Sequence, residues 1–351
     1  MKSTDVIGRS AHALLSLPNA VLAPLAGPRP TIDGQRLTPP LQLLANGGKR
    51  ALAGLSFPPT ALERRFDAVG QWLTLAHGDD ASWRDLSAGG RRARLFEPME
   101  PTTGLVVFVH GGGWQFGSID ASHGVCAFLS KTTGLKVLSL DYRLAWQAQF
   151  PAAFDDVVAG FREAVARADE LGVARDRIAI AGDSAGGNIA SAAALALGAD
   201  PTYRPKLAAL IYPVVDGDLD RYESTHLFHA PLDRAIVHRD MRRYAPDDAD
   251  RLDPRFSVMA ASDLSAMPPA YIATAGMDVL RDQGEAFGER LRESGVDASV
   301  QRFPNLPHGF LNLLVDPDAE RAAAEIGRAI GERVRWCRGS ALPAPSPTSG
   351  R

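Results

Sequence analysis

The chain is 351 residues long, 45% hydrophobic and 23% charged, with a formal net charge of −3, values that suit one large α/β domain or one domain carrying an inserted cap. No long basic run is present, which excludes a nucleic-acid partner, and no apolar run is long enough to span a bilayer. The two cysteines, Cys126 and Cys337, lie far apart and form neither a disulfide framework nor a C-x-x-C metal pair.

Residues 1–90 read as helical and irregular. The stretch 11–26 is apolar but carries Pro18, Asn19 and Pro24, and Lys2 is followed by Asp5. A clean basic n-region is missing, so a signal peptide is disfavoured and a cytoplasmic chain is expected. The stretch reads instead as a helix that covers the domain or touches a membrane surface. Leu41, Leu43 and Leu44, then Leu52, Leu55 and Phe57, punctuated by prolines, predict short helices; Leu62, Phe66, Val69 and Trp72 follow at near-helical spacing. This block shows no chemistry of its own.

From residue 91 to about 338 strands alternate with helices. Strands are predicted at 93–96, 105–109, 136–140, 177–181, 207–212, 270–274 and 298–303, helices at 122–132, 152–170, 185–197, 283–294 and 318–336. Short apolar strands with intervening helices argue for a mostly parallel central sheet covered on both faces. In such sheets sites form at the carboxyl ends of the strands. Residues 217–266, rich in Asp, Arg and His, break the alternation as a helical insertion with the size and place of a lid. The last stretch, 339–351, is rich in Pro, Ser and Gly and is expected to be disordered.

The chemistry centres on Gly182-Asp183-Ser184-Ala185-Gly186-Gly187-Asn188, a G-x-S-x-G pattern between a predicted strand and a predicted helix. That context is a nucleophile elbow: the serine hydroxyl stands exposed on a tight turn, and the helix points its positive end at charge formed beside it. G-x-S-x-G also arises by chance, and most serines near glycines are plain turn residues. A serine nucleophile needs a base, and the base an orienting acid. Asp278, after the strand through Thr274, is the favoured acid because it sits one strand before the histidine; Asp216 is its rival. His308, in Pro307-His308-Gly309-Phe310, is the only histidine beyond Asp278 and the candidate base. His110-Gly111-Gly112-Gly113-Trp114 follows a strand and matches an oxyanion loop, which pairs with the N–H of Ala185, the residue after the nucleophile. A dinucleotide fingerprint fails there, because Phe116 stands where the third glycine belongs. His226, His229 and His238 lack a zinc-type motif such as H-E-x-x-H, so no metal is expected.

These motifs, with Asp141-Tyr142-Arg143-Leu144-Ala145 and Asp278-Val279-Leu280-Arg281-Asp282, stand in one order. By them the chain resembles the hormone-sensitive-lipase-like, or bacterial family IV, esterases of the α/β-hydrolase superfamily, from about residue 91 to 335. The resemblance implies an α/β-hydrolase fold with Ser184 as nucleophile, Asp278 as acid and His308 as base. It implies an oxyanion hole from the N–H groups of Gly112, Gly113 and Ala185, and a helical cap built from residues 1–90 and the insertion 217–266. It implies no cofactor, and dimers are common in the family. Two departures bear on substrate range: Trp146-Gln147 stands where the family usually has Pro-Glu, and Val279 where it often has proline.

The expected reaction is hydrolysis of short- to medium-chain carboxylic esters through an acyl-enzyme, on a small-molecule substrate. Trp114, Phe116, Tyr142, Phe228 and Phe310 are candidates to line its pocket, with ordinary core packing as the alternative for each. Alternatives are an amide or carbamate hydrolase, a long-chain lipase that uses residues 11–26 as an interfacial contact, and a small-molecule receptor on a hydrolase scaffold. A receptor typically loses the base, whereas Ser184, Asp278 and His308 are all present.

Overall fold

One eight-stranded sheet organises the chain, in the order β1-β2-β4-β3-β5-β6-β7-β8. The computed structural model describes residues 15, 17–54 and 70–335. Residues 11–14, Leu55, Phe57, Leu62, Phe66, Val69, Cys337 and the 339–351 tail lie outside the described residues. The strands are β1 (Ser82–Ala88), β2 (Arg91–Glu97), β3 (Leu105–Val109), β4 (Lys136–Leu140), β5 (Ile178–Asp183), β6 (Ala208–Ile211), β7 (Ala270–Met277) and β8 (Ala298–Pro307). β1, β2 and β4 pair antiparallel, and every later pairing is parallel.

Every residue of β3 and β5 is buried. That is the pattern of strands covered on both faces, and it explains their unbroken apolar runs. The main helices are α1 (Asn19–Ala26), α2 (Pro39–Ala53), α3 (His123–Thr133), α4 (Ala152–Ala166), α5 (Ala185–Gly198), α6 (Arg234–Tyr244), α7 (Arg281–Glu293) and α8 (Pro317–Arg335). α3 packs with α8, α4 with α5, and α7 against β7.

The sheet begins earlier than the sequence pattern indicates. β1 lies inside the 1–90 block that reads as helical. Its first four residues, from Ser82 to Asp85, are exposed, so no apolar alternation marks the strand. Pairing with β2 over seven register positions holds it at the sheet edge instead. The insertion 217–266 is helical as expected, with α6 as its longest element and short turns around it. Asp233 starts α6 by accepting the Ile236 N–H at 2.9 Å, an ordinary N-cap.

α1 packs on α2 and buries Leu22 and Ala26 while leaving Val21 and Leu25 exposed, as is Leu17 just before it. α2 in turn meets α6. The Arg239 guanidinium donates to the Leu52 carbonyl at 2.9 Å, and Lys49 pairs with Asp233 at 3.3 Å. The N-terminal block and the insertion thereby join. Among the described residues no helix is long and apolar enough to cross a membrane.

Candidate active site

Ser184 stands at the junction of β5 and α5 with φ 56° and ψ −121°. A non-glycine residue there carries about 1–3 kcal/mol of backbone strain. The turn holds because its neighbours have no side chains: a Cβ on Gly186 would overlap the carbonyls of Val109 and His110, and one on Gly182 the carbonyl of Gly186. The Ser184 N–H donates to the Ile211 carbonyl at 2.9 Å, which ties the elbow to β6.

His308 follows the end of β8. Its Nε2 lies 2.9 Å from Ser184 Oγ and its Nδ1 2.7 Å from Asp278 Oδ2. Asp278 follows the end of β7, and its side chain is fully buried. Its second oxygen accepts the Leu280 N–H at 3.1 Å. Asp216 is occupied elsewhere: it accepts from the Tyr222 hydroxyl at 2.6 Å, from Ser257 at 3.2 Å and from Arg221 at 3.3 Å. The fold therefore brings Ser184, His308 and Asp278 into one hydrogen-bonded line and leaves the rival acid as a structural tie.

The loop His110–Trp114 leaves the end of β3 with Gly112, Gly113 and Trp114 all at positive φ. Gly112, Gly113, Ser184 and Ala185 share the wall of one cavity. Two buried groups fix the loop. Asp183 accepts the Gly111 N–H at 2.7 Å, and the Asn312 amide also donates to it, at 3.1 Å. Burial pushes the Asp183 carboxyl above the usual aspartate range, and the Gly111 bond opposes that. Tyr142 stacks on the His110 ring with centroids 4.4 Å apart and donates its hydroxyl to the His110 carbonyl at 2.9 Å.

The cavity has a volume of about 580 Å³. Leu43, Leu44 and Leu52 of α2, with Trp72 and Leu73, form one wall. Pro231, Leu232 and Val237 of the insertion form another. Trp114 and Phe116 line it as expected. Three other candidates do not. Tyr142 is turned into the prop beneath His110. Phe228 lies under the Arg281 guanidinium at 5.2 Å. Phe310 packs on Tyr212 and Phe303 at 5.2 and 5.5 Å. All three are ordinary core aromatics, the alternative that spacing alone left open.

The α2 residues and Asp240 were not legible as cavity walls. A helix face that buries a pocket reads in sequence like one that buries a core. Asp240 is nevertheless unusual: it is buried in the cavity wall, Arg239 Nε donates to it at 2.8 Å, and a Cβ on Gly113 would approach its Oδ2 to 2.9 Å. Burial raises its carboxyl above the usual range. The family departures are absorbed locally. Gln147 accepts the Leu144 N–H at 2.9 Å and closes the turn, and the Val279 carbonyl accepts from Ser224 and Thr225. His226 and His238 lie against Asp220 in the insertion, and no group of three or more His, Cys, Asp or Glu able to hold a metal occurs among the described residues.

A family model described as α/β hydrolase fold matches residues 106–312. A carboxylic ester hydrolase of Mycobacterium tuberculosis is 37% identical over 311 residues, which cover 82% of this chain and 80% of that protein. An ethyl acetate hydrolase of Pseudomonas putida is 35% identical over 230 residues, 63% of this chain and 71% of its own length. Among solved structures, a hyperthermophilic esterase from the archaeon Pyrobaculum calidifontis superimposes with a TM-score of 0.76 at 31% identity, covering 84% of this chain and 98% of that one.

Proposed function

The chain belongs to the α/β-hydrolase fold family, and from that premise we propose that it is a serine carboxylesterase acting on short- to medium-chain esters. The observation that carries the reading is the unbroken hydrogen-bonded line from Asp278 through His308 to Ser184, ending in the wall of an apolar cavity. His308 Nε2 takes the Ser184 proton as Oγ attacks the ester carbonyl. Asp278 accepts from Nδ1 and steadies the imidazolium that forms. The oxyanion is held by the N–H groups of Gly112, Gly113 and Ala185, each worth about 2.7–4 kcal/mol of barrier. The positive end of α5 adds to them. Collapse expels the alcohol, which leaves with the proton from His308. Water, deprotonated by the same imidazole, then attacks the acyl-serine and frees the acid. The reacting groups are side chains and backbone of this chain, and no cofactor enters the cycle.

The chain-length preference rests on the cavity. About 580 Å³ with apolar walls suits a drug-sized or smaller apolar ligand. The test is hydrolysis of p-nitrophenyl esters of increasing acyl length, with Ser184→Ala beside the wild type. Turnover should peak at short to medium chains and fall about 10⁶-fold, to background, in the variant. A variant that keeps its activity would end the mechanism. A second reading, a peripheral contact with membrane lipid, is favoured by the exposed row Leu17, Val21 and Leu25. Co-sedimentation with vesicles and a peak on long emulsified esters would support it over the first.

A further inference from the structure

We propose that Gln35, in the N-terminal block and outside the cavity lining, is a positioning residue for the Asp278–His308 pair. The inference rests on the esterase reading above for its effect on turnover. It starts from an irregularity in the sheet. β7 and β8 pair in register as far as Ala275 with Phe303, and again at Met277 with Pro307. Between these pairs Gly276 alone faces Pro304, Asn305 and Leu306, so the ladder is interrupted. The acid, Asp278, follows Met277, and the base, His308, follows Pro307. The two groups that must meet at 2.7 Å are thus launched from the first pair beyond the gap.

The Gln35 side chain occupies that gap. Its Nε2 donates to the Gly276 carbonyl at 3.2 Å, and its Oε1 accepts the Asn305 N–H at 3.1 Å. One carboxamide thereby bonds an acceptor on β7 and a donor on β8 where the register between the two strands is interrupted. The fit is close: a Cβ on residue 276 would meet the Pro304 Cα at 2.9 Å as well as overlap Gln35 Oε1, so the backbone contact requires glycine there. Gln35 itself is only 8% exposed.

The segment that presents Gln35 is closed by its own backbone hydrogen bonds. Ile32 and Gln35 exchange two backbone hydrogen bonds of 2.9 Å around Asp33 and Gly34, both at positive φ, the shape of a tight two-residue turn. Three further contacts fix it to the same place. Asp33 pairs with Arg281 at 2.7 Å, and Arg281 also reaches the Gly276 carbonyl. The Arg36 N–H donates to Asn305 Oδ1 at 2.9 Å. Asn305 stands at φ 60°, a conformation these contacts sustain. The turn at 32–35 therefore acts as a clamp on the strand ends that carry the acid and the base.

The test compares wild type with Gln35→Met, which keeps the volume and loses both hydrogen bonds, and Gln35→Glu, which keeps the acceptor and loses the donor. Gln42→Met, which removes a buried amide that among the described residues bonds only to Asn46 of the same helix, is the control. Three quantities are read: kcat and KM on a short p-nitrophenyl ester, the deshielded NMR resonance of the His308 Nδ1 proton, and Tm. The expected result for Gln35→Met is a kcat lower by about 10- to 100-fold with KM little changed, and a His308 resonance that moves or broadens. Gln35→Glu should lie between it and wild type, and Gln42→Met should match wild type in kcat and resonance. An unchanged kcat and resonance in Gln35→Met, even with a lower Tm, would overturn the proposal, as would an equal loss in Gln42→Met. Should Gln35→Met not fold, Gln35→Glu decides by the same readouts. If the wild type hydrolyses no ester, the esterase reading fails, and the resonance still decides the role of Gln35.

Discussion

Replacing Asp278 by asparagine changes one atom and reverses the proton order of the site. One carboxylate oxygen accepts the Leu280 N–H at 3.1 Å and the other faces His308 Nδ1 at 2.7 Å. In Asp278→Asn the amide oxygen must stay on the Leu280 N–H, because an NH₂ group there would meet another donor. The NH₂ then faces Nδ1, which becomes an acceptor. The imidazole proton moves to Nε2, and Nε2 now donates to Ser184 Oγ where it must accept. The serine keeps its place and loses its base. Loss of the correct tautomer costs about 10⁴ in kcat, or about 5.4 kcal/mol of barrier at 1.36 kcal/mol per decade. KM should move little, since Asp278 does not line the cavity. Initial rates on a p-nitrophenyl ester at neutral pH, over a range of concentrations, measure both. Asp216→Asn is the matched comparison and should keep kcat within about threefold while lowering Tm, because Asp216 is tied to Tyr222, Ser257 and Arg221. A loss below about tenfold in Asp278→Asn would refute the tautomer argument. A larger loss in Asp216→Asn would move the acid.

Three further outcomes are expected. Gly112→Ala should lower kcat by about 10²–10³ with little change in KM, because its Cβ would overlap the Phe116 carbonyl at a φ of 119° and displace the donors; pre-steady-state acylation rates measure it, and a wild-type rate would remove Gly112 from the oxyanion hole. Leu52→Trp narrows one cavity wall, so kcat/KM on an octanoyl ester should fall about tenfold or more relative to the acetyl ester; a parallel loss on both would place Leu52 outside the acyl path. Asp240 concerns pH. Burial raises its folded carboxyl above the unfolded value, so its favourable contribution belongs to low pH and is lost as pH rises through the raised value. Asp240→Asn, which keeps an acceptor for Arg239, should therefore raise Tm more at pH 7 than at pH 4; thermal unfolding at both values tests it, and a larger gain at pH 4 contradicts it.

The parts legible in sequence were those where one residue type is forced. The elbow at 182–186 requires glycines because strand and helix pass at backbone contact, and the loop at 110–114 requires them because Gly112 and Gly113 take positive φ and a Cβ on Gly111 would overlap the Asp183 carboxylate. The central strands were legible because burial on both faces leaves an unbroken apolar run. β1 was not, because an edge strand with exposed residues has no such run. The aromatic candidates divide for a similar reason. Trp114 and Phe116 sit within a motif that fixes the local backbone at the cavity. Tyr142, Phe228 and Phe310 depend on which way a side chain turns, and composition does not encode that. Gln35 carried no signal at all, since a polar residue in an irregular N-terminal block is the commonest of findings; its role exists only once β7, β8 and the turn at 32–35 are side by side.

The meeting of α2 and α6 separates two sensitivities. The Lys49–Asp233 pair that bridges them is partly exposed, with side chains 40% and 22% accessible, and such pairs contribute about 0–1 kcal/mol and weaken with salt. The Asp278–His308 pair is shielded from water and is screened far less. Ionic strength therefore acts on how firmly the two cavity walls are held together, and scarcely on the proton relay behind them. On the esterase reading, salt would then change how firmly the walls around the substrate are braced, and with it the range of esters accepted, while leaving the rate of bond cleavage of a seated ester unchanged.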